Sequence, residues 1–103
     1  MLYPLLFVDV ETTHLNHTIG EIIEICIIKE FPNGKTIRFE SKFRPQHLIT
    51  ADPKSLEING YNPDDWKDAP TFKECSEHIF HLLEFGIIVG HNVNFDIDYI
   101  NTQ

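Results

Sequence analysis

Asp9, Glu11 and Asp96 are the residues of this sequence whose type and spacing suit metal chemistry. Asp9 and Glu11 are two residues apart, so in an extended segment both side chains leave the same face and can converge on one cation. Asp96 follows a second short apolar run. If that run lies parallel to the first, the helix after it begins beside the same strand end and brings Asp96 within reach. Three carboxylates in one small volume repel one another and raise one another's pKa unless a divalent cation neutralises them. Hard oxygen donors with open positions suit magnesium or manganese, and two such ions about 4 Å apart activate a water and stabilise the leaving oxygen of a phosphodiester. The spacing fits a plainer reading equally well. In it Asp9 and Glu11 merely end a strand, and Asp96 sits in a first helical turn, where the dipole favours acids.

The elements that must position these residues are legible in outline. Leu5-Leu6-Phe7-Val8 reads as a buried strand ending at Asp9-Val10-Glu11. Residues 12–20 read as a loop, and an Ile-rich strand follows over 21–31. Pro32-Asn33-Gly34 marks a hairpin turn, after which Ile37, Phe39, Ser41 and Phe43 alternate with polar residues as in a half-buried edge strand. Pro53 to Ile58 predicts a short helix closed by Asn59-Gly60. Residues 61–70 read as a loop anchored by Trp66. Thr71 with Glu74 forms a capping-box pattern ahead of Phe72, Cys75, Ile79, Leu82 and Leu83 at helical spacing, and Gly86 ends that helix. Ile87-Ile88-Val89 predicts a fourth buried strand. Gly90-His91-Asn92 leads into a last helix with apolar positions Val93, Phe95, Ile97 and Ile100, and His91 orders the turn that enters it. Three antiparallel strands followed by helix, strand and helix describe an α/β protein with a mixed sheet.

At 103 residues the chain predicts a single domain over 1–103, and its 42% hydrophobic and 23% charged content excludes disordered or fibrous classes. No apolar run reaches the roughly 18 residues of a membrane helix, and no basic stretch precedes the first apolar run, so the expectation is a cytoplasmic protein without membrane contact. The net charge of -8 makes it a poor general binder of polyanions. A protein of this charge that handles nucleic acid needs cations to offset its own carboxylates. Cys26 and Cys75 are expected as buried reduced thiols. Cys75, His78 and His81 do not read as a zinc face, because their spacing walks around the helix.

Asp9-Val10-Glu11-Thr12-Thr13 and Gly90-His91-Asn92-Val93-Asn94-Phe95-Asp96 resemble the first and second motifs of the DnaQ-like, DEDD-type 3′-5′ exonucleases of the ribonuclease H-like superfamily. Leu56-Glu57-Ile58-Asn59-Gly60-Tyr61 and Asp68-Ala69-Pro70-Thr71-Phe72 are similar to that family at the expected spacing. The resemblance implies a ribonuclease H-like mixed sheet of five strands and a two-metal site binding Mg2+ or Mn2+ that hydrolyses a terminal phosphodiester. By motif position Asp9, Glu11 and Asp96 would be catalytic metal ligands. Thr12 and Thr13 would hold the 3′-terminal nucleotide, Leu15 would wedge against its base, Ile58 and Asn59 would line its pocket, and Asn92 would steady the site. Two positions depart from the pattern. Asn59 stands where many relatives carry His, and His14 stands where the family usually has Gly, so that a side chain there is expected to distort the turn or narrow the pocket.

The family's third motif, a His or Tyr base followed by a fourth metal-binding Asp, has no counterpart in 1–103. The expectation is therefore a domain truncated before the fifth strand and last helix, with weak or no activity by itself. The alternative is a non-catalytic remnant acting as a metal-binding, nucleic-acid-binding or interaction module. Implied partners are single-stranded or 3′-terminal nucleic acid, a polymerase subunit, a complementing C-terminal segment, or a second copy paired through the exposed sheet edge.

Overall fold

The first strand, β1, spans Leu5–Thr12 and so runs one residue past Glu11, where its end was expected. Its pattern is an alternation. Leu6, Val8, Val10 and Thr12 are buried, while Phe7 and Asp9 are exposed and Glu11 is half-buried. The two acids therefore occupy open-face positions inside a strand and do not terminate it. The computed structural model describes residues 2–90 and 92–103. His91, assigned above to the turn that enters the last helix, lies outside them.

The second strand, β2 (Ile22–Glu30), runs antiparallel to β1, setting Asp9 opposite Cys26 and Glu11 opposite Glu24, with a register shift between Glu11 and Thr12. A turn closed by hydrogen bonds from Phe31 N to Lys35 O and from Gly34 N to Phe31 O leads to β3 (Thr36–Lys42), antiparallel to β2. As an edge strand β3 pairs on one side alone, and Ile37, expected on its buried face, is 45% exposed. The fourth strand, β4 (Ile87–Val89), lies parallel to β1 through Leu5 to Phe7 and completes a sheet of order β3-β2-β1-β4. It reads as a buried strand in a complete domain and as an uncovered edge in one truncated before the fifth strand; it is the opposite edge, with Ile87 52% and Val89 38% exposed.

The helices follow their caps. α1 (Pro53–Ile58) starts with Pro at its first turn and Asp52 accepting from Lys54 N, and it is followed by Gly60 at φ 68°. The segment expected as a loop over 61–70 contains a one-turn helix, α2 (Pro63–Trp66), capped by Asn62 accepting from Asp65 N. Trp66 at its end is buried, and its Nε1–H donates to Ile23 O at 2.8 Å, so the anchor is polar as well as apolar. α3 (Phe72–Leu83) carries the full capping box of Thr71 and Glu74 and buries Phe72, Ile79 and Leu82. α4 (Val93–Thr102) buries Asp96, Tyr99 and Ile100; Tyr99 had not been counted among its inward positions. α3 and α4 cover the face bearing Leu6, Val8, Val10, Ile25 and Ile27. The residues on the opposite face include Phe7, Asp9, Glu11, Glu24, Cys26 and Glu40. Cys26 and Cys75 are free thiols and half-buried, more open than expected. Among the described residues no helix is long and apolar enough to cross a membrane.

Gly86 has a different job from the helix terminator it was expected to be. α3 ends at Leu83, and the positive φ of 59° falls on Phe85. A Cβ at residue 86 would stand 2.5 Å from Leu6 Cδ1 and 2.7 Å from its Cγ, so the glycine admits close contact with a fully buried core leucine. Gly86→Ala is expected to destabilise the chain by about 1–3 kcal/mol through overpacking. A chemical denaturation midpoint equal to that of the wild type would show that Leu6 yields freely.

Candidate functional site

β4 pairs with β1 only as far as Phe7↔Val89, which leaves the β4 side of β1 unpaired beyond Phe7. The start of α4 fills that space. Asp96, 5% exposed, accepts from the Val10 N–H there and lies within electrostatic reach of both Asp9 and Glu11. Burial, and after it the Asp9 charge, push the Asp96 carboxyl from 3.8 to about 6; Glu11 adds to the rise, and the Val10 N–H partly offsets it. Burial likewise pushes Glu11 up, followed by the charges of Asp9 and Glu24. Glu24 was not anticipated as part of this neighbourhood. Its signal lies in pairing register, since it is the cross-strand partner of Glu11, and like charges so placed repel. Lys42 offsets it at 3.5 Å. Asp9, Glu11, Glu24, Cys26 and Glu40 line a shallow cleft of about 190 Å³ on the open face.

The donor set is therefore made of carboxylate oxygens whose mutual charge, with burial, pushes Glu11 and Asp96 up, which is the chemistry a hard divalent cation relieves. The fit lies in donor type and charge. Among the described residues, no three His, Cys, Asp or Glu side chains are gathered closely enough to hold an ion as they stand.

A second cleft, of about 160 Å³, opens beside the carboxylates and is lined by Glu11, Thr12, Leu15, Ile58, Asn59 and Phe95 among others. It unites residues far apart in sequence because α1 is tied at both ends to the turn after β1. Asp52 N donates to Thr13 O at 2.7 Å, and Asn59 Nδ2 donates to Thr12 O at 2.7 Å. Two of its lining residues, Leu15 and Ile58, are 75% and 74% exposed, so the cleft presents apolar surface to solvent. Phe95, noted in the sequence only as an apolar helix position, lines the same cleft; its adjacency to Asp96 was the available signal.

The remaining candidates are placed as follows. Thr12 and Thr13 are buried and their hydroxyls are engaged, Thr12 Oγ1 donating to His14 O at 2.8 Å and Thr13 Oγ1 accepting from Glu21 N at 2.9 Å. His14 lies outside the left-handed region, so its side chain imposes no backbone strain on the turn, and its Nδ1 accepts from Asn16 N at 2.9 Å. Asn92, exposed, takes φ 56° at the N-cap of α4, with its carbonyl accepting from Phe95 N. His78 and His81 stand exposed on α3; His81 faces Glu84 at 3.6 Å.

Residues 6–103 match the model of the exonuclease (RNase T) family. The DNA polymerase III subunit epsilon of Buchnera aphidicola subsp. Schizaphis graminum is 32% identical over 107 residues, a match covering 96% of this chain and 44% of that protein. A PolC-type DNA polymerase III of Bacillus cereus is 33% identical over 94 residues, covering 90% of this chain and 6% of that one. E. coli exonuclease I, solved in complex with an oligonucleotide, superposes with a TM-score of 0.81 over 95% of this chain and 23% of its own length, at 19% identity. The chain thus spans less than half the length of these proteins, and its mixed α/β sheet matches the ribonuclease H-like fold of exonuclease I.

Proposed function

The chain belongs to the exonuclease family whose model spans residues 6–103, and on that premise we propose that it is a metal-dependent 3′-5′ exonuclease module acting on the terminal phosphodiester of a nucleic-acid strand. The observation that supports the reading is the placement of the buried Asp96 of α4 within electrostatic reach of Asp9 and Glu11 of β1, next to a cleft lined by the exposed Leu15 and Ile58.

Asp9, Glu11 and Asp96 would hold magnesium or manganese, which when bound supplies an activated water and charge stabilisation at the leaving oxygen. The chain's own residues orient the strand end. Leu15 and Ile58 press against the terminal base, and Asn59, fixed on Thr12 O, sets the depth of the cleft. Thr12 and Thr13 hold the turn beneath the nucleotide, and Asn92 sets the start of the helix that presents Asp96. Residues 1–103 contain no counterpart of the family's base and fourth acid, so they are proposed to turn over slowly by themselves and to gain activity with a segment that carries both groups. A polymerase subunit, and a second copy joined at the β4 edge, are proposed partners. The looseness of the carboxylate group among the described residues favours a second reading, a strand-binding module with little catalysis.

The test compares a linear single strand with a circular one of the same sequence, in DNA and RNA forms, in the presence of calcium. The linear form should bind more tightly, and Leu15→Ala should erase the difference. Equal binding of linear and circular strands would refute recognition of the end.

A further inference from the structure

We infer that the Tyr99 hydroxyl is a positioning group for the cleft: from α4 it fixes the backbone of His14–Asn16 and thereby sets where Leu15 stands relative to Asp96. The inference rests on the reading of that cleft as the seat of a terminal nucleotide.

Tyr99 is fully buried although it carries a polar head, and a buried phenol needs a partner. Its hydroxyl meets His14 O, and it reaches Asn16 O at 3.1 Å. Those two carbonyls flank Leu15. His14 O also accepts from Thr12 Oγ1, so the phenol and the end of β1 hold the same peptide. Asn16 O accepts from Ile19 N and Gly20 N, which close the loop. Gly20 fits this arrangement for a steric reason, since a Cβ there would stand 2.4 Å from the Tyr99 oxygen and 2.8 Å from His14 Cβ. On the helix side, Tyr99 and Asp96 are three residues apart and both buried, so they share one face of α4. The Phe95 ring, which lines the cleft, packs against the Tyr99 ring with centroids 5.0 Å apart. One turn and a half of helix therefore carries a carboxylate to the acidic cluster, an aromatic wall to the cleft and a hydroxyl to the loop that bears Leu15. Relaxing the last of these lets Leu15 move while the carboxylates stay in place.

The deciding variant is Tyr99→Phe, which keeps the ring packing and removes the hydroxyl. Ile79→Val, a core change on α3, controls for general destabilisation. Deoxyadenosine 5′-monophosphate, titrated by NMR, should bind Tyr99→Phe on the order of tenfold more weakly than the wild type, the effect of one lost hydrogen bond to a positioned segment. Amide exchange at residues 14–16 should speed up in this variant. Manganese affinity should be unchanged, and Ile79→Val should match the wild type in all three measurements. Wild-type affinity and exchange in Tyr99→Phe would overturn the inference alone. A parallel fall in manganese affinity would overturn it in favour of general loosening of α4. A wild type that does not bind the nucleotide would instead remove the reading of the cleft, and the positioning role with it.

Discussion

Residues 1–103, supplied with manganese and a 3′-labelled single strand, are expected to release the label about 10² to 10⁴-fold more slowly than a site complete with its acid/base group. On the proposed reading the three acids would attract a cation but none of them would shuttle a proton, and with one carboxylate fewer than the family pattern a second ion would be held weakly. Whatever cleavage remains should disappear with EDTA and with Asp96→Ala. Fast, processive, EDTA-sensitive digestion by the chain alone would show that the three carboxylates suffice, or that a second copy supplies the missing groups.

Asp96→Asn is expected to stabilise the metal-free chain at neutral pH. The carboxyl titrates near 3.8 when unfolded and near about 6 in the fold, because burial and the Asp9 charge disfavour its ionised form. Well below pH 3.8 both states are protonated and Asp96 costs nothing. As pH rises through 6 the folded state must accept the charge, so the stability present in acid is lost. An Asn keeps an oxygen for the Val10 N–H and never ionises. The gain should reach about 2–3 kcal/mol at pH 7.5 and vanish at about pH 3. Thermal unfolding of both forms across that range checks the sign; equal melting temperatures at pH 7.5 would mean that Asp96 is solvated and remote from Asp9.

Patterns confined to a few neighbouring residues were the legible ones. Thr71 and Glu74 declare a helix start three residues apart, and both ends of the box form as read. The two exonuclease-like motifs were equally plain, and Leu15, Ile58 and Asn59, which the resemblance assigns to the nucleotide, lie along one cleft. What escaped depends on distant partners. Leu5 to Val8 read as a solid apolar run, but only the even positions face the helices, and the same alternation carries Asp9 and Glu11 within the strand. Tyr99 stands outside the apolar positions read for the last helix, and its carbonyl partners lie 85 and 83 residues earlier in the chain. Gly86 looked like punctuation until Leu6 was seen against it. Glu24 joined the acidic group only through strand register.

The central claim is that Asp9, Glu11 and Asp96 form a cation site, and calorimetric titration of manganese into metal-free wild type and Asp9→Asn tests it most directly. Asp9 adds its charge to both of the other carboxyls, so it should dominate the attraction for a cation. The wild type should bind, and Asp9→Asn should bind at least about tenfold more weakly while remaining folded. Equal binding by the two proteins, or none by the wild type, would contradict the claim.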